Sequence, residues 1–425
     1  MKRFLKLGTK EYLPFTFMLG VNLALMIAAF VINTPTEIFE GFLVIVTSRS
    51  ILMTDYIALA GLGPALFNVS VVGFSAVFML TSLDVKPYGA NIMGLWLTMG
   101  FSFIGKNVFN MIPLTFGVWL FSKYRKEPFS KYYLSALLVA TLCPVVSEVA
   151  FLGMFARPVE ITAGILLGFI VGFIFTVISS ENVKAHSGFN LYNMGFAGGL
   201  IATILTTLLR NLGIVITPVS YISSGNNLLF AILLYSISAV MLVFGLSGGK
   251  SNLSGYRKIH NHSGQLVTDY YEMYGSSIYI NMAVLCATGT TVALALGGQL
   301  NGPALAAILT MTGFGSLGKH IKNVTPVLIG AVISSIVNIH DPSATVTLVP
   351  TLFSTGLAPI AGKYGWIWGI AAGFLHVNVA LFVGDLNGGM NLYNSGFAAT
   401  FTAMFLIPIA TLLKRDSVIK RDKYK

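Results

Sequence analysis

Acidic residues are scarce in this sequence: 15 aspartates and glutamates stand against 26 lysines and arginines in 425 residues. All charged types together reach 10%, where a soluble domain carries about 25%. So little charge excludes an ordinary soluble enzyme or signalling domain. Cysteine is nearly missing too. Cys143 and Cys286 both fall in apolar runs, which argues against a disulfide framework or a thiolate metal site. No Walker loop, metal-spaced His/Glu pair or nucleophile elbow can be read from the chain. The expectation is a protein that is not an enzyme and that uses no cofactor and no metal.

What is present is hydrocarbon. Hydrophobic residues make up 55% of the chain and the mean hydropathy is +0.80. Apolar runs long enough to cross a ~30 Å hydrocarbon core recur from Leu13 almost to Leu413, so the fold class is an all-α polytopic membrane protein with the lipid bilayer as its first partner. The first run, LPFTFMLGVNLALMIAAFVIN, is too long for a signal-peptide core and lacks a small-residue cleavage site, and it reads as a retained span. The net charge of +11 is scattered through short loops and both tails rather than gathered on one face. That pattern fits positive-inside topology and speaks against nucleic acid.

The chain is written twice. GFNLYNMGFA at 188–197 returns as GMNLYNSGFA at 389–398, and GKNVFNMIP at 105–113 returns as GKHIKNVTP at 318–326. TDY stands at 54–56 and 268–270, LVATL at 138–142 answers LVPTL at 348–352, and the span at 13–33 answers one at 226–246. Landmarks in the same order define two repeats, residues 1–212 and 213–425. In the first, full spans are expected near 13–33, 57–82, 133–154, 158–180 and 188–208. The stretch 89–121 is interrupted at Gly105-Lys106; one helix over it would be about 50 Å long, too long for a single crossing. It is either two short spans or a re-entrant hairpin, and the same holds for 302–338. With about five full spans plus such a pair in each repeat, 10 to 14 crossings result.

A pair that returns to its starting side leaves each repeat an odd number of net crossings, so the repeats are expected to be inverted. Loop charge agrees. With Lys2, Arg3, Lys6 and Lys10 inside, the loop bearing Lys123, Arg125, Lys126 and Lys131 falls inside, and its counterpart NIHDPSA at 338–344, without lysine or arginine, falls outside. Lys250, Arg257 and Lys258 and the terminal KRDSVIKRDKYK fall inside as well. A multi-pass membrane protein with both termini cytoplasmic is expected.

Inverted repeats with broken helices place solute sites near the midplane. Asn190, Tyr192 and Asn193, with Asn391, Tyr393 and Asn394, open the last span of each repeat. On a helix, asparagines three apart share a face and offer uncharged donors and acceptors to a small polar solute, or they cap and knit helices. Lys106 and Lys319 follow a glycine at each break, with Asn110 and Asn323 one turn on. A lysine at that depth binds an anion, sets an electrostatic filter, or snorkels. Glu148 is a lone carboxylate after Pro144 and a candidate for proton or cation coupling; Asp55 and Asp269 are candidate counter-charges, or belong to an interfacial amphipathic segment.

TDY, G-K-x-x-x-N-x-x-P and the doubled NLYN phrase together resemble a bacterial integral-membrane family, domain-of-unknown-function family 1576, over nearly the whole chain; that likeness implies a membrane protein and no assigned activity. The NLYN phrase more faintly resembles the helix-opening GLYGFNG-type phrase of urea transporters, which implies an inverted-repeat channel. A seven-plus-seven layout would look like the uracil permease and anion exchanger class. The functional expectation is a transporter or channel for a small polar solute, neutral or anionic, at the repeat interface. The alternatives are a scaffold or lipid-handling protein without an aqueous path, and a proton-coupled carrier using Glu148. By analogy with other channel-like proteins, a homo-oligomer is a candidate assembly.

Reporter fusions test the topology: a cytoplasm-dependent reporter such as green fluorescent protein should be bright at both termini and dark in the 338–344 loop. A bright reporter in that loop would refute the inverted arrangement.

Overall fold

The computed structural model describes the backbone of residues 2–214, 216, 220–265 and 268–423, with side chains between residues 3 and 414 of these. Among the described residues the regular structure is helical and no strand is present beyond isolated bridges. Among the described residues nine helices are long and apolar enough to cross a bilayer. The protein is a multi-pass membrane protein.

The element order runs through nine principal helices and then repeats. The first set is α1 (Leu13–Ile32), α2 (Pro35–Thr47), α3 (Leu62–Ser82), α4 (Gly89–Phe101), α5 (Val108–Tyr124), α6 (Tyr133–Leu138), α7 (Cys143–Ala150), α8 (Arg157–Glu181) and α9 (Asn193–Asn211). The second is α10 (Asn227–Leu246), α11 (Gly249–Ile259), α12 (Ile278–Ala295), α13 (Gly302–Gly313), α14 (Ile321–Val337), α15 (Thr345–Phe353), α16 (Ala358–Tyr364), α17 (Trp366–Val383) and α18 (Asn394–Lys423). One landmark shifts. Pro144 and Pro359 each lie in the first turn of a helix, where proline's missing N–H costs nothing, and aligning them sets LVATL against residues 353–357 rather than against LVPTL. The counterpart of Glu148 is therefore Lys363.

Two elements were not anticipated. Helix α2 has 13 residues, about 20 Å, too short to cross. It starts at a capping box in which Thr34 Oγ1 accepts from the Glu37 amide and Glu37 Oε2 accepts from the Thr34 amide at 2.8 Å. Phe39 and Leu43 are exposed along it while Ile38 and Ile45 are buried. Its counterpart α11 is polar and amphipathic. The T-x-x-E spelling at 34–37 was the available signal.

Helices α1 and α3 pack antiparallel. Asn33, at the end of α1, accepts from the Gly63 amide at the start of α3, and Lys6, before α1, pairs with Asp84, just past the end of α3. That ammonium holds the Asp84 carboxyl below the usual carboxylate range. Met79, near the same end of α3, and Trp119, late in α5, share the wall of one cavity with Thr98 of α4. Helix α5 therefore comes back toward the end where α4 began, and 89–121 is a hairpin of two helices around a cavity.

The tips of the two hairpins are the strained places of the fold, because they interrupt helices at depth. Gly105 and Gly318 take positive φ, 39° and 79°, which a side chain would resist. Asn110 and Asn323, three residues past the caps Asn107 and His320, receive the cap amides on Oδ1 at 2.9 and 3.0 Å and donate to the Gly105 and Gly318 carbonyls at 2.9 and 3.0 Å. The G-K-x-x-x-N-x-x-P frame is thus a helix-break motif. Asn68 of α3 closes the first break with bonds to the Ser102 and Lys106 carbonyls at 2.8 and 3.0 Å; Asn281 of α12 does the same to Gly315 and Lys319, both at 2.7 Å.

Asn281→Leu removes both bonds and leaves two buried carbonyls without a partner, so unfolding in detergent should be easier by about 1–3 kcal/mol, with a similar loss for Asn68→Leu. Thermal melts followed by intrinsic fluorescence would measure it; unchanged midpoints would mean that the breaks hold without these amides.

Candidate functional site

Residues 188–192 are not helical. They form a turn ahead of α9, and 389–393 do the same ahead of α18. Asn190 therefore does not share a helix face with Asn193, nor does Asn391 with Asn394, and none of the four caps a helix in the usual sense. Asn190 folds back on itself, with Oδ1 accepting from the Tyr192 amide at 2.8 Å, and Asn391 does so toward Tyr393 at 3.1 Å. Such an Asx turn competes with helix formation and pushes the first helical residue to Asn193 and Asn394.

Their side-chain amides cross between the sets. Asn190 Nδ2 donates to the Gly396 carbonyl and to Thr400 Oγ1, at 2.8 and 2.9 Å, and Asn391 Nδ2 donates to the Gly195 carbonyl at 3.0 Å. Thr141 Oγ1 donates to Asn391 Oδ1 at 2.7 Å. The Leu191 amide reaches the Gly356 carbonyl and the Leu392 amide the Thr141 carbonyl, at 3.0 and 2.9 Å. Glycine is required here: a Cβ on Gly195 would lie 2.4 Å from the Tyr393 carbonyl oxygen, and one on Gly396 equally close to that of Tyr192. The repeated phrase is the seam along which α9 and α18 cross.

Tyr192 and Tyr393 meet at its centre with ring centroids 4.8 Å apart, closed above and below by Phe314, 5.0 Å from Tyr192, and Phe101, 5.4 Å from Tyr393. Asn193 and Asn394 point away from the seam into matching pairs. The Asn190 amide donates to His186 Nδ1, which assigns the proton to Nε2, and Nε2 donates to Asn193 Oδ1 at 2.9 Å; Asn387 Nδ2 donates to Asn394 Oδ1 at 2.7 Å. A small cavity lies at each pair. One of about 100 Å³ touches His186, Asn190, Asn193 and Tyr393; the other, of about 180 Å³, touches Asn394, Ser395, Asp385 and Phe353. The linings correspond in part: Gly188, Leu191, Asn193 and Met194 of the first stand where Gly389, Leu392, Asn394 and Ser395 of the second do.

Both lysines are buried, with 2% and 0% exposure, and neither snorkels. Lys319 donates to Tyr192 Oη and, at 2.8 Å, to Thr355 Oγ1, and its ammonium lies 4.3 Å from the centre of the Tyr192 ring. Lys106 differs. Its one hydrogen bond is to Thr98 Oγ1, at 3.1 Å, because Ala140 stands where Thr355 does, and Tyr393 Oη is left without a partner. Among the described residues no carboxylate pairs with either lysine.

The acidic candidates lie elsewhere. Asp55 is fully buried rather than interfacial; it accepts from the Ile57 amide and from the Ser223 amide and hydroxyl. Asp269 accepts from the Glu272 amide and, across the sets, from the Gly89 amide at 2.8 Å, so it caps the start of α4. A Cβ on Gly302, at the start of α13, would lie 2.7 Å from Asp55 Oδ1, the reciprocal position. Glu148 is not a lone carboxylate. Arg49 grips Oε2 with Nε at 3.0 Å and Nη2 at 2.6 Å. Arg49, Thr141, Thr355, Thr98, His186 and Asn387 were missed. Only the His186/Asn387 pair had a sequence signal, a polar residue seven places before the second asparagine in both copies.

The family model for the protein of unknown function DUF1576 matches residues 34–211 and 249–412, and the chain belongs to that family. The matched segments cover α2–α9, α11–α17 and α18 as far as residue 412. No curated protein and no solved structure matches, so the likeness to urea transporters is not shown.

The unequal lysines make an unequal prediction. Tyr192→Phe strips Lys319 of an acceptor and should destabilise by about 1–3 kcal/mol, whereas Tyr393→Phe removes a hydroxyl without a partner and should be neutral or stabilising. Paired melting curves of the two variants decide it, and the opposite order would mean that the Lys319 contact is not formed.

Proposed function

We propose that this member of the DUF1576 family is a transporter of a small polar solute, neutral or anionic, built from two inverted membrane repeats in a bacterial cytoplasmic membrane. The observation that carries the reading is the pair of counterpart cavities on either side of the Tyr192–Tyr393 contact. Each is lined by an asparagine without charge, Asn193 or Asn394, and each is separated from the other by packed aromatic rings. Two partly matching vestibules on either side of one closed centre fit alternating access.

Reciprocity supports the inversion. Asn190 bonds Gly396 and Asn391 bonds Gly195, the exchange a two-fold axis produces. With that axis in the membrane plane, the lysine-rich loop at 123–131 and its uncharged counterpart at 338–344 fall on opposite sides, as the charge pattern expects. Closure at the tyrosines favours a gated carrier over a permanently open channel. Glu148, already neutralised by Arg49, lies on α7 and apart from both vestibules, which weighs against it as the coupling site.

Proteoliposomes shocked with urea, short amides, glycerol, formate or ammonium salts and followed by stopped-flow light scattering test the proposal. Solute-selective recovery should appear and should fall about tenfold or more in the Asn193→Leu/Asn394→Leu double variant. Recovery equal to empty liposomes for every solute, or full recovery in the double variant, would reject it.

A further inference from the structure

The largest departure from two-fold equivalence surrounds Lys106. In the second set the lysine is fully engaged by Tyr192, Thr355 and the ring faces of Tyr192 and Phe314. In the first set the counterparts of Met311 and Thr355 are Thr98 and Ala140. The ammonium of Lys106, 2% exposed, makes a single hydrogen bond and lines a cavity of about 350 Å³ between α3, α4, α5 and α6. An ammonium has three donors. Two of these find no acceptor among the described residues, and a buried cation without a counter-charge is among the costliest arrangements in a membrane interior.

The rest of the cavity is apolar. Beyond Lys106, only Ser75, Thr98 and Thr115 bring polar side chains, and Ser75 Oγ is already turned back to the Val71 carbonyl. Met79, Leu137 and Phe129 are among the remaining walls. Two further walls, Ile112 and Phe116, are 60% and 40% exposed on the outer side of α5, a surface that at this depth meets hydrocarbon. The cavity follows α5 from Met111 to Trp119, about 12 Å. One positive charge at the closed end, an apolar wall and an opening toward lipid define the occupant: one negative charge, one apolar chain, arriving from the bilayer.

We infer that the Lys106 cavity binds a long-chain carboxylate of the membrane, with its head on the Lys106 ammonium and the Thr98 hydroxyl and its chain lying along α5 toward Phe116. A phosphate dianion would bring more charge than one lysine balances, and a neutral amphiphile would leave the ammonium unpaired. The inference does not depend on transport through the tyrosine seam, and its test uses none of the residues of that seam.

The experiment is a titration of the full chain in nanodiscs of zwitterionic lipid with cis-parinarate, a fluorescent long-chain carboxylate, read by energy transfer from tryptophan. Trp119 lines the cavity. Saturable binding should be about tenfold or more tighter than that of the methyl ester, as expected when a charge-assisted bond is lost. Lys106→Met should erase the preference for acid over ester, Ala76→Phe should block both probes by filling the cavity, and acetate should not compete. Equal binding of acid and ester by the unaltered protein, a comparison needing no variant, would overturn the inference. So would an acid preference that persists in Lys106→Met, or displacement by acetate, which would mark an aqueous anion site.

Discussion

Inside a bilayer every backbone polar group must find a partner within the protein, because no water is there to accept or donate. This chain interrupts two helices at depth, and the rest of the structure is arranged around satisfying those interruptions. Asn110 and Asn323 close each break from within, Asn68 and Asn281 close it from the neighbouring helix, and a glycine with positive φ turns the chain. Asp55 and Asp269 stand at the starts of the helices that lead into the breaks, each contributed by the opposite set. Many of the buried polar side chains among the described residues are therefore engaged with backbone.

Duplication makes the two breaks comparable, and the comparison separates structural from available chemistry. The Lys319 environment is complete: hydroxyls and aromatic faces surround the ammonium. Lys106, on the same motif, meets Ala140 where Lys319 meets Thr355, bonds Thr98 rather than the counterpart tyrosine, and lines an apolar cavity. Neighbours one or two residues away in the fold, not the motif itself, set what each lysine can do.

The asparagines of the NLYN phrase divide in the same way. Asn190 and Asn391 tie α9 to α18 through carbonyls that only glycine lets approach, and they hold the tyrosine pair shut. Asn193 and Asn394 face small cavities and bond only to His186 and Asn387 and nearby backbone. A seam and a vestibule are thus written in adjacent letters.

Hydropathy alone determined that the chain spans a membrane, since a backbone must be helical in lipid and an apolar helix of sufficient length has nowhere else to go. The repeated phrases determined the duplication, the order of the elements and the two breaks, because proline, glycine and asparagine act on backbone within a few residues of themselves. The short helix α2 escaped notice because 13 residues are too few to register as a span. Which asparagine bridges and which faces a cavity, that Glu148 has Arg49, and that Lys106 bonds Thr98 where Lys319 bonds Tyr192 and Thr355, were decided only by tertiary structure. Each depends on a partner between about 8 and 250 positions away in sequence, and no local pattern records which side chain a fold will bring alongside.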